Sequence, residues 1–522
     1  IARSGGFFPE KFTFPTVMML FLAVMLTDVV LLDLYNTFGL PTSTTVSLVF
    51  ELLGAAVAVA LFTMWTTETS DQLGDFINSG KALAIIGGIF ISIAIAFVVG
   101  SVIMYISRLI FTFKYAKPFK YLGAIWGGFA LTAITYFAIF KGLKGSVLVT
   151  ADMINYLDHN MGSALLYTFG GWTLLMALLQ HLFRIRILKI IVLVGTAALA
   201  MAFAGNDLVN FIGVFMAGFD SFRIARTVAA AGGDVNTLYM DQLSEPVVAN
   251  MYWLLGAGII MVLALWFSKK SRTVTETEVN LARKGEGVER FSSSPLSRSL
   301  VRGSLIIGKT VSSITPAPVQ RFIEKRFEPV ELDNKASFDL IRASVNLTIS
   351  ALLISLGTSL KLPLSTTYVT FMVAMGSSLA DRAWGRESAV YRINGVLTVV
   401  AGWLLTALIA FSAALLVGLF LMWGGKIAII LMIVLVAFVL YKSGRLHTKR
   451  KHKEMEHLQV HSSELQLVTS SNEEVIRLME KTLMIFKYIT DGLEDENRKK
   501  VKKAMLEANE LYERFRDKRD YE

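Results

Sequence analysis

The chain has 522 residues, of which 54% are hydrophobic and 18% are charged, and its formal net charge is +10. These proportions are typical of a membrane protein with several spanning helices and argue against a soluble enzyme. The absence of cysteine excludes disulfides, thiolate catalysis and cysteine-ligated metal sites. The basic residues are concentrated in a few loops and the C-terminal region, so we expect membrane lipids as partners and no nucleic acid.

Apolar runs of about 20 residues, the length that a helix needs to cross the hydrocarbon layer of a bilayer, recur along the chain. They predict spanning helices at 14–34, 43–64, 82–106, 121–140, 163–183, 189–219, 247–267, 338–358, 363–380, 393–418 and 424–441. Basic clusters lie near 108–120 and 184–189, within 269–335 and after residue 441. Because cytoplasmic loops of membrane proteins are enriched in Lys and Arg, we predict that these parts face the cytoplasm.

The spans and loops divide the chain into five predicted parts. They are a first transmembrane half at 1–184, the start of a second half at 185–267, and a cytoplasmic linker rich in Ser, Arg, Lys and Pro at 268–335. The rest of the second half follows at 336–441, and a polar helical segment in the cytoplasm at 442–522. The first half begins with Ile1 at the edge of an apolar run, and we expect it to lack its N-terminal part.

The span at 189–219 carries Asn206, Asp207 and Asn210 in the middle of an apolar run. A charge at the bilayer centre costs roughly 2.5 to 3.5 kcal/mol, so Asp207 marks a candidate functional site. A helix of this length would extend about 46 Å, against a hydrocarbon layer of about 30 Å. The helix is therefore either strongly tilted or broken, and we predict a break at Ala204–Asp207, where Gly, Asn and Asp are poor helix formers.

A short motif occurs twice. Residues 40–46, LPTSTTV, resemble residues 362–368, LPLSTTY, and Gly54 and Gly376 keep the same offset, because 363 − 41 and 376 − 54 both equal 322. The loop charges predict that the two copies run in opposite directions across the membrane. An inverted repeat is the architecture in which transporters build a central substrate site.

The residue types in these motifs suit the binding of a small anion. Proline followed by hydroxyl side chains is typical of a helix start, where free N–H groups and the positive end of the helix dipole attract anions. Asp207 would repel that anion unless a sodium ion or a proton neutralises it, and the sequence leaves both open. Capping and helix packing alone are the alternative for the hydroxyls. The six hydroxyl residues are Ser43, Thr44, Thr45, Ser365, Thr366 and Thr367.

These motifs resemble those of the inorganic phosphate transporter (PiT) family, whose members move phosphate with sodium ions or protons. AGNDLVN at 204–210 is similar to one family motif, and PTSTT at 41–45 and PLSTT at 363–367 are similar to the two copies of another. The resemblance implies an all-α, polytopic, inverted-repeat secondary transporter with broken helices. It further implies that the six hydroxyl residues bind phosphate, that Asn206, Asp207 and Asn210 bind the coupling ion, and that there is no other cofactor and no enzymatic activity.

The family resemblance also implies a multi-pass protein of the bacterial inner-membrane type, with a cytoplasmic C-terminal segment similar to the start of a PhoU-like helical domain. Two features depart from the family pattern. The histidine that follows the repeated motif is replaced by Val46 and Tyr368, and a second copy of the AGNDLVN-like motif is absent. We therefore expect about two further spans before Ile1.

Other functions remain open at this stage. Sulfate has the same shape as phosphate and is an alternative substrate, and the cytoplasmic segment would also suit a phosphate-sensing signalling protein. A membrane-embedded enzyme is disfavoured because no HExxH motif is present and no histidine lies at a catalytic position in a span. Glu51 is a further deep carboxylate, but Val373 stands at its repeat-related position. The sequence is compatible with a homo-oligomer.

Overall fold

The chain folds into α-helices. The computed structural model describes residues 6–38, 42–67, 71–137, 159–245, 250–268, 313–327, 339–360, 364–382, 388–459, 464–495 and 498–519, with a few isolated positions between them. Within these ranges there is no strand, and only the isolated bridges Phe7–Ile77 and Thr13–Tyr239 occur. The helices are α1 (Phe14–Phe38), α2 (Thr44–Thr66), α3 (Leu73–Phe76), α4 (Ser79–Phe111), α5 (Ala116–Ile134), α6 (Met161–His181), α7 (Ile187–Ala230), α8 (Met251–Phe267), α9 (Ala317–Arg326), α10 (Leu340–Ser359), α11 (Thr366–Ala380), α12 (Ser388–Gln459), α13 (Glu464–Glu494) and α14 (Arg498–Arg519).

The predicted membrane helices are present. Seven of the described helices are long and apolar enough to cross a membrane, namely α1, α2, α4, α6, α7, α10 and the apolar part of α12. The predicted spans from 14–34 to 363–380 correspond to α1, α2, α4 to α8, α10 and α11, with ends that differ by several residues. The prediction of an all-α, polytopic fold is therefore confirmed.

The predicted break at Ala204–Asp207 is wrong. Helix α7 runs without interruption from Ile187 to Ala230 over 44 residues, or about 66 Å, and so reaches well beyond a hydrocarbon layer. The side chains of Asp207 and Asn210 have partners at the starts of neighbouring helices, so the α7 backbone need not unwind to satisfy them. The chain leaves the helical conformation instead between α1 and α2 and between α10 and α11, at the repeated motifs, whose prolines Pro41 and Pro363 lie outside the described residues.

Helix α12 changes direction at Gly425, whose backbone is non-helical (φ 52°, ψ −133°). Phe411 packs against the middle of α2, and Met422 lies beside the end of α2 and the start of α1. Beyond Gly425, the hydroxyl of Ser443 hydrogen bonds with that of Thr37 near the other end of α1, at 2.8 Å. The chain therefore turns back at Gly425, which gives the two C-terminal spans that the sequence predicts.

The two repeats interlock through glycines. A Cβ atom on Gly54 of α2 would overlap the carbonyl oxygen of Phe411 in α12, and one on Gly376 of α11 would overlap that of Phe97 in α4. In each case the second helix of one repeat meets a helix of the other half at backbone contact. Small residues permit this close approach between membrane helices.

The remaining parts lie outside this helical core. The predicted linker at 268–335 is mostly outside the described residues, but part of it forms the helix α9. The polar C-terminal segment forms α13 and α14, which pack on each other. Its resemblance to a PhoU-like domain stays a prediction.

Candidate functional site

The two repeated motifs form helix starts of the same geometry. Ser43 caps α2 with φ −106° and ψ 119°, and its hydroxyl oxygen accepts a hydrogen bond from the Val46 N–H at 3.2 Å. Ser365 caps α11 with φ −100° and ψ 119°, and accepts from the Tyr368 N–H at 3.2 Å. Each serine hydroxyl keeps its own hydrogen for donation, so capping does not prevent it from binding an anion.

One turn of α7 is bonded to both helix starts. The hydroxyl of Thr366 donates to the carboxylate of Asp207, 2.8 Å from Oδ2 and 3.0 Å from Oδ1. The side-chain amide of Asn210 donates to Thr45 Oγ1 at 2.7 Å. Residues three apart lie on the same face of a helix, so a single face of α7 joins the two halves. Thr45, Thr366 and Asn210 are buried.

Three of the predicted site residues are near this cluster in the chain but make no such bond. Thr44, Thr367 and Asn206 are partly exposed, and no side-chain hydrogen bond involves any of them within the described part of the chain. Their hydroxyl and amide groups are consequently available to a ligand. The structure thus joins four of the nine predicted site residues directly and has Ser43 and Ser365 as the caps of the same two helices.

The position of Asp207 determines what the cluster can bind. Its carboxylate receives the Thr366 hydroxyl at the start of α11, where the helix dipole favours negative charge. An oxyanion at that helix start would compete with this carboxylate. Among the described residues no three His, Asp or Glu side chains lie together as a metal site, so a cation here would be held by Asp207 with amide and carbonyl oxygens.

The two positions that follow the repeated motif serve packing. The ring of Tyr368 stacks on that of Trp403, with centroids 3.7 Å apart and an angle of 16° between the planes. Tyr368 and Val46 line the same apolar cavity of about 380 Å³. Because Tyr368 lies two residues, about 200° around the helix, from Thr366, its side chain leaves α11 on the face away from Asp207.

Glu51 is fully buried in α2. The hydroxyl of Ser47, one turn earlier, donates to Glu51 Oε1 at 3.3 Å. Nothing within the described residues connects Glu51 by a hydrogen bond to Asp207 or Asn210.

Sequence reasoning missed one buried charged group. In the sequence, Arg108 belongs to the basic cluster near 108–120 and Arg342 lies in the predicted span at 338–358, but both are fully buried with Asp339 and Asp381. The available signal was the position of the two aspartates, each at the end of a predicted span and on the basic side of the membrane.

Comparison with known proteins agrees with this architecture. The sequence profile described as "Phosphate transporter family" matches residues 3–280, more than half of the chain. A solved structure titled "The sodium-dependent phosphate transporter" superposes with a TM-score of 0.52 over 82% of this chain and 84% of that chain, at 17% sequence identity. That likeness concerns the fold. A search of curated proteins finds no significant match.

Proposed function

The chain belongs to the phosphate transporter family, and we propose that it is a secondary active symporter that imports inorganic phosphate with sodium ions or protons by alternating access. It is a multi-pass membrane transporter and not an enzyme. We further propose that it lies in the cell membrane with the basic loops and the C-terminal segment in the cytoplasm.

The observation that supports this proposal is the contact of one α7 turn with the helix starts of both repeats. Thr366 and Thr45 come from opposite repeats and bond to Asp207 and Asn210. A substrate bound between the two helix starts would touch both repeats at once. Transporters with inverted repeats move one repeat against the other around such a site.

Phosphate would be held by helix-start N–H groups and by hydroxyls. Ser43 and Ser365 each have a hydrogen to donate while they cap their helices, and Thr44 and Thr367 have no other side-chain partner among the described residues. Hydrogen bonds from hydroxyl and N–H donors replace the water around an oxyanion.

Coupling between the cation and phosphate would follow because Asp207 and phosphate compete for the Thr366 hydroxyl. Its single hydroxyl hydrogen is directed at Asp207. A sodium ion bound with Asp207, Asn206 and Asn210, or a proton on Asp207, would weaken that bond and free the hydroxyl to donate to phosphate. The cation would also cancel the repulsion between the carboxylate and the anion, so each ligand would favour binding of the other.

Sulfate is the second candidate substrate. Phosphate is partly protonated at neutral pH and can donate a hydrogen bond, whereas sulfate cannot. The Asp207 carboxylate lies at the α11 helix start and can accept such a bond. This favours phosphate.

Uptake of radiolabelled phosphate into proteoliposomes tests the proposal. Sodium and proton gradients would be varied separately, with sulfate as competitor. We expect uptake that saturates, that depends on one of the two gradients, and that falls strongly in Asp207→Asn and Thr366→Val. Thr196→Val is the matched control, because Thr196 is exposed on α7 and its hydroxyl, among the described residues, bonds only within its own helix, to the Val192 carbonyl at 2.7 Å. Absence of uptake under both gradients would overturn the symporter proposal.

A further inference from the structure

A buried arginine lies at the end of α4, far from the proposed substrate site. Arg108 is fully buried, and its guanidinium donates to both carboxylate oxygens of Asp381, from Nε to Oδ1 at 2.6 Å and from Nη2 to Oδ2 at 3.0 Å. Nη1 donates to Asp339 Oδ2 at 2.8 Å and to the Thr112 carbonyl at 3.0 Å. The Phe113 ring covers the guanidinium, 3.8 Å from its centroid. We name Arg108, Asp339 and Asp381 the ionic cluster.

The ionic cluster joins the two halves of the transporter. Arg108 belongs to α4 of the first half, while Asp339 caps the start of α10 and Asp381 follows the last residue of α11, both in the second half. Asp339 Oδ1 accepts the Arg342 N–H at 3.0 Å, and Arg342 Nη1 donates to the Ser378 hydroxyl at 3.1 Å. The Arg342 contacts hold α10 and α11 together, and the contacts of Arg108 with Asp339 and Asp381 hold this pair against α4.

Within the described residues, the repeat-related positions at the other end contain no such group. The offset of 322 relates Asp339 to Val17, Arg342 to Leu20 and Asp381 to Val59. These three residues are all fully buried and belong to one apolar cluster. The repeat symmetry of the backbone is therefore not accompanied by symmetry of charge.

Helix α11 links the ionic cluster to the substrate site. It begins at Thr366, which bonds to Asp207, and after 15 residues, about 22 Å, it reaches Asp381. A Cβ on Gly376 would overlap the Phe97 carbonyl oxygen, and one on Gly100 would lie 2.8 Å from the Val373 carbonyl oxygen, so α11 and α4 touch at backbone level between these two points. α11 can move away from α4 only if Arg108 releases Asp381.

We propose that the ionic cluster is the gate on the cytoplasmic side. It holds α11 against α4 while that side is closed, and its separation opens the path from the substrate site to the cytoplasm. This inference rests on the proposed transport function and on the orientation given by the basic loops. Rocking of one repeat against the other has to break the contacts between the halves at one end while those at the other end close.

The linker contacts this gate from outside. Phe327, the residue after α9, is buried, stacks on Tyr105 of α4 with centroids 5.3 Å apart, and lies under the Arg382 guanidinium at 4.7 Å. Arg382 follows Asp381 directly and has φ +51°, a left-handed conformation that few residues other than glycine adopt. Phe327 therefore bridges α4 and the end of α11, across the same junction as the ionic cluster, and strengthens the closed gate.

The test uses the absence of cysteine from the chain. Thr370→Cys supplies a reporter on α11, one turn beyond Thr366 and outside the proposed substrate residues. A membrane-impermeant maleimide is applied to the cytoplasmic or the external side of oriented vesicles, without phosphate. Adding Arg108→Lys, which keeps the charge but loses the forked contact with Asp381, should raise the labelling rate from the cytoplasmic side about tenfold.

Two further variants complete the experiment. Phe327→Ala leaves all charges in place and should raise the same rate by a smaller factor, so it tests the gate even where Arg108→Lys does not yield folded protein. Lys11→Met removes the Lys11–Asp71 ion pair, which is partly exposed, and should leave cytoplasmic labelling unchanged. Unchanged cytoplasmic labelling in Phe327→Ala and in folded Arg108→Lys, or an increase only from the external side, would overturn the gate. The labelling needs no substrate, so its failure is distinct from absence of phosphate uptake.

Discussion

One end of the inverted repeat is closed by charge and the other by apolar side chains. At the charged end, Arg108 holds two carboxylates from the opposite half. At the apolar end, Val17 and Leu20 pack in a cluster that also contains Phe12. This apolar end is covered by three short segments, which contain Phe8 and Phe12, Phe76, and Met240. Backbone hydrogen bonds join them, from Phe8 N to Phe76 O and from Met240 N to Phe12 O, both at 3.0 Å. The same backbone architecture is thus closed by two kinds of chemistry.

The two closures differ in how they fail. A buried ion cluster is stable only while each charge is matched and hydrogen bonded, because the desolvation of an unmatched charge is large. Its closure is therefore nearly all-or-none. Apolar contacts are individually weak and non-directional, so they loosen gradually and leave no unmatched group behind. The charged end is suited to a discrete gate and the apolar end to a graded seal.

The largest effect is expected from Arg108→Met. Asp339 and Asp381 would remain buried without their partner, and breaking a buried pair in this way costs about 3 to 5 kcal/mol. The free energy of unfolding in detergent, from denaturant titration, measures this loss. In the double variant Arg108→Met, Asp339→Asn the remaining buried charges, Arg342 and Asp381, still face each other, with 3.8 Å between Nε and Oδ2, and most of the stability should return. A loss of under about 1 kcal/mol in the single variant would contradict the all-or-none closure.

A second prediction concerns the close helix packing at glycine that the two repeats share. Gly54→Ala and Gly376→Ala each place a Cβ against a carbonyl oxygen of the facing helix, so both should destabilise by about 3 kcal/mol, the upper part of the range for overpacking. Gly87→Ala is the control, because its Cβ would meet nothing within 4 Å. Thermal unfolding measures all three. Similar losses at Gly54 and Gly376 would show that the repeats differ in charge and not in packing.

The sequence allowed the spans, the repeat and the residues at the two helix starts to be predicted, because each depends on local features. A span needs only a run of apolar residues, and a helix start needs Ser or Thr at its cap, so Ser43 and Ser365 could be identified before the structure was known. Asp207 was identifiable because a carboxylate stands out in an apolar run.

The ionic cluster and the shape of α7 could not be predicted in this way. The partners of Arg108 lie 231 and 273 residues away, and nothing local distinguishes a buried arginine from its exposed basic neighbours. The break predicted near Gly205 followed from helix propensity, which is a weak preference that tertiary contacts override. The contacts from Asp207 to Thr366 and from Asn210 to Thr45 likewise join residues that are far apart in the chain.

The apolar end gives a third, smaller prediction. Leu20→Ala removes a fully buried side chain and should cost about 2 kcal/mol, the low end for such core changes, because lipid is as apolar as the protein interior and only packing is lost. Leu83→Ala on α4 is the control, since its side chain is 68% exposed. Unfolding measurements on both variants test the seal. A loss at Leu20 as large as that at Arg108 would remove the distinction between the two closures.

The smallest effect is expected at the Lys11–Asp71 ion pair, which also lies at the apolar end. Its N···O distance is 3.1 Å, but the side chains are 39% and 34% exposed, so Lys11→Met should cost under about 0.5 kcal/mol. Water and salt screen such a pair, whereas the buried Arg108 is shielded from both. The melting temperature would be compared at low and high salt for the unmodified protein, Lys11→Met and Arg108→Lys. The Lys11 effect should disappear at high salt and the Arg108 effect should persist, because burial and not the mere presence of an ion pair gives the charged end its strength. If both effects vanished together, the ionic cluster would be open to solvent and too weak to hold α11 against α4.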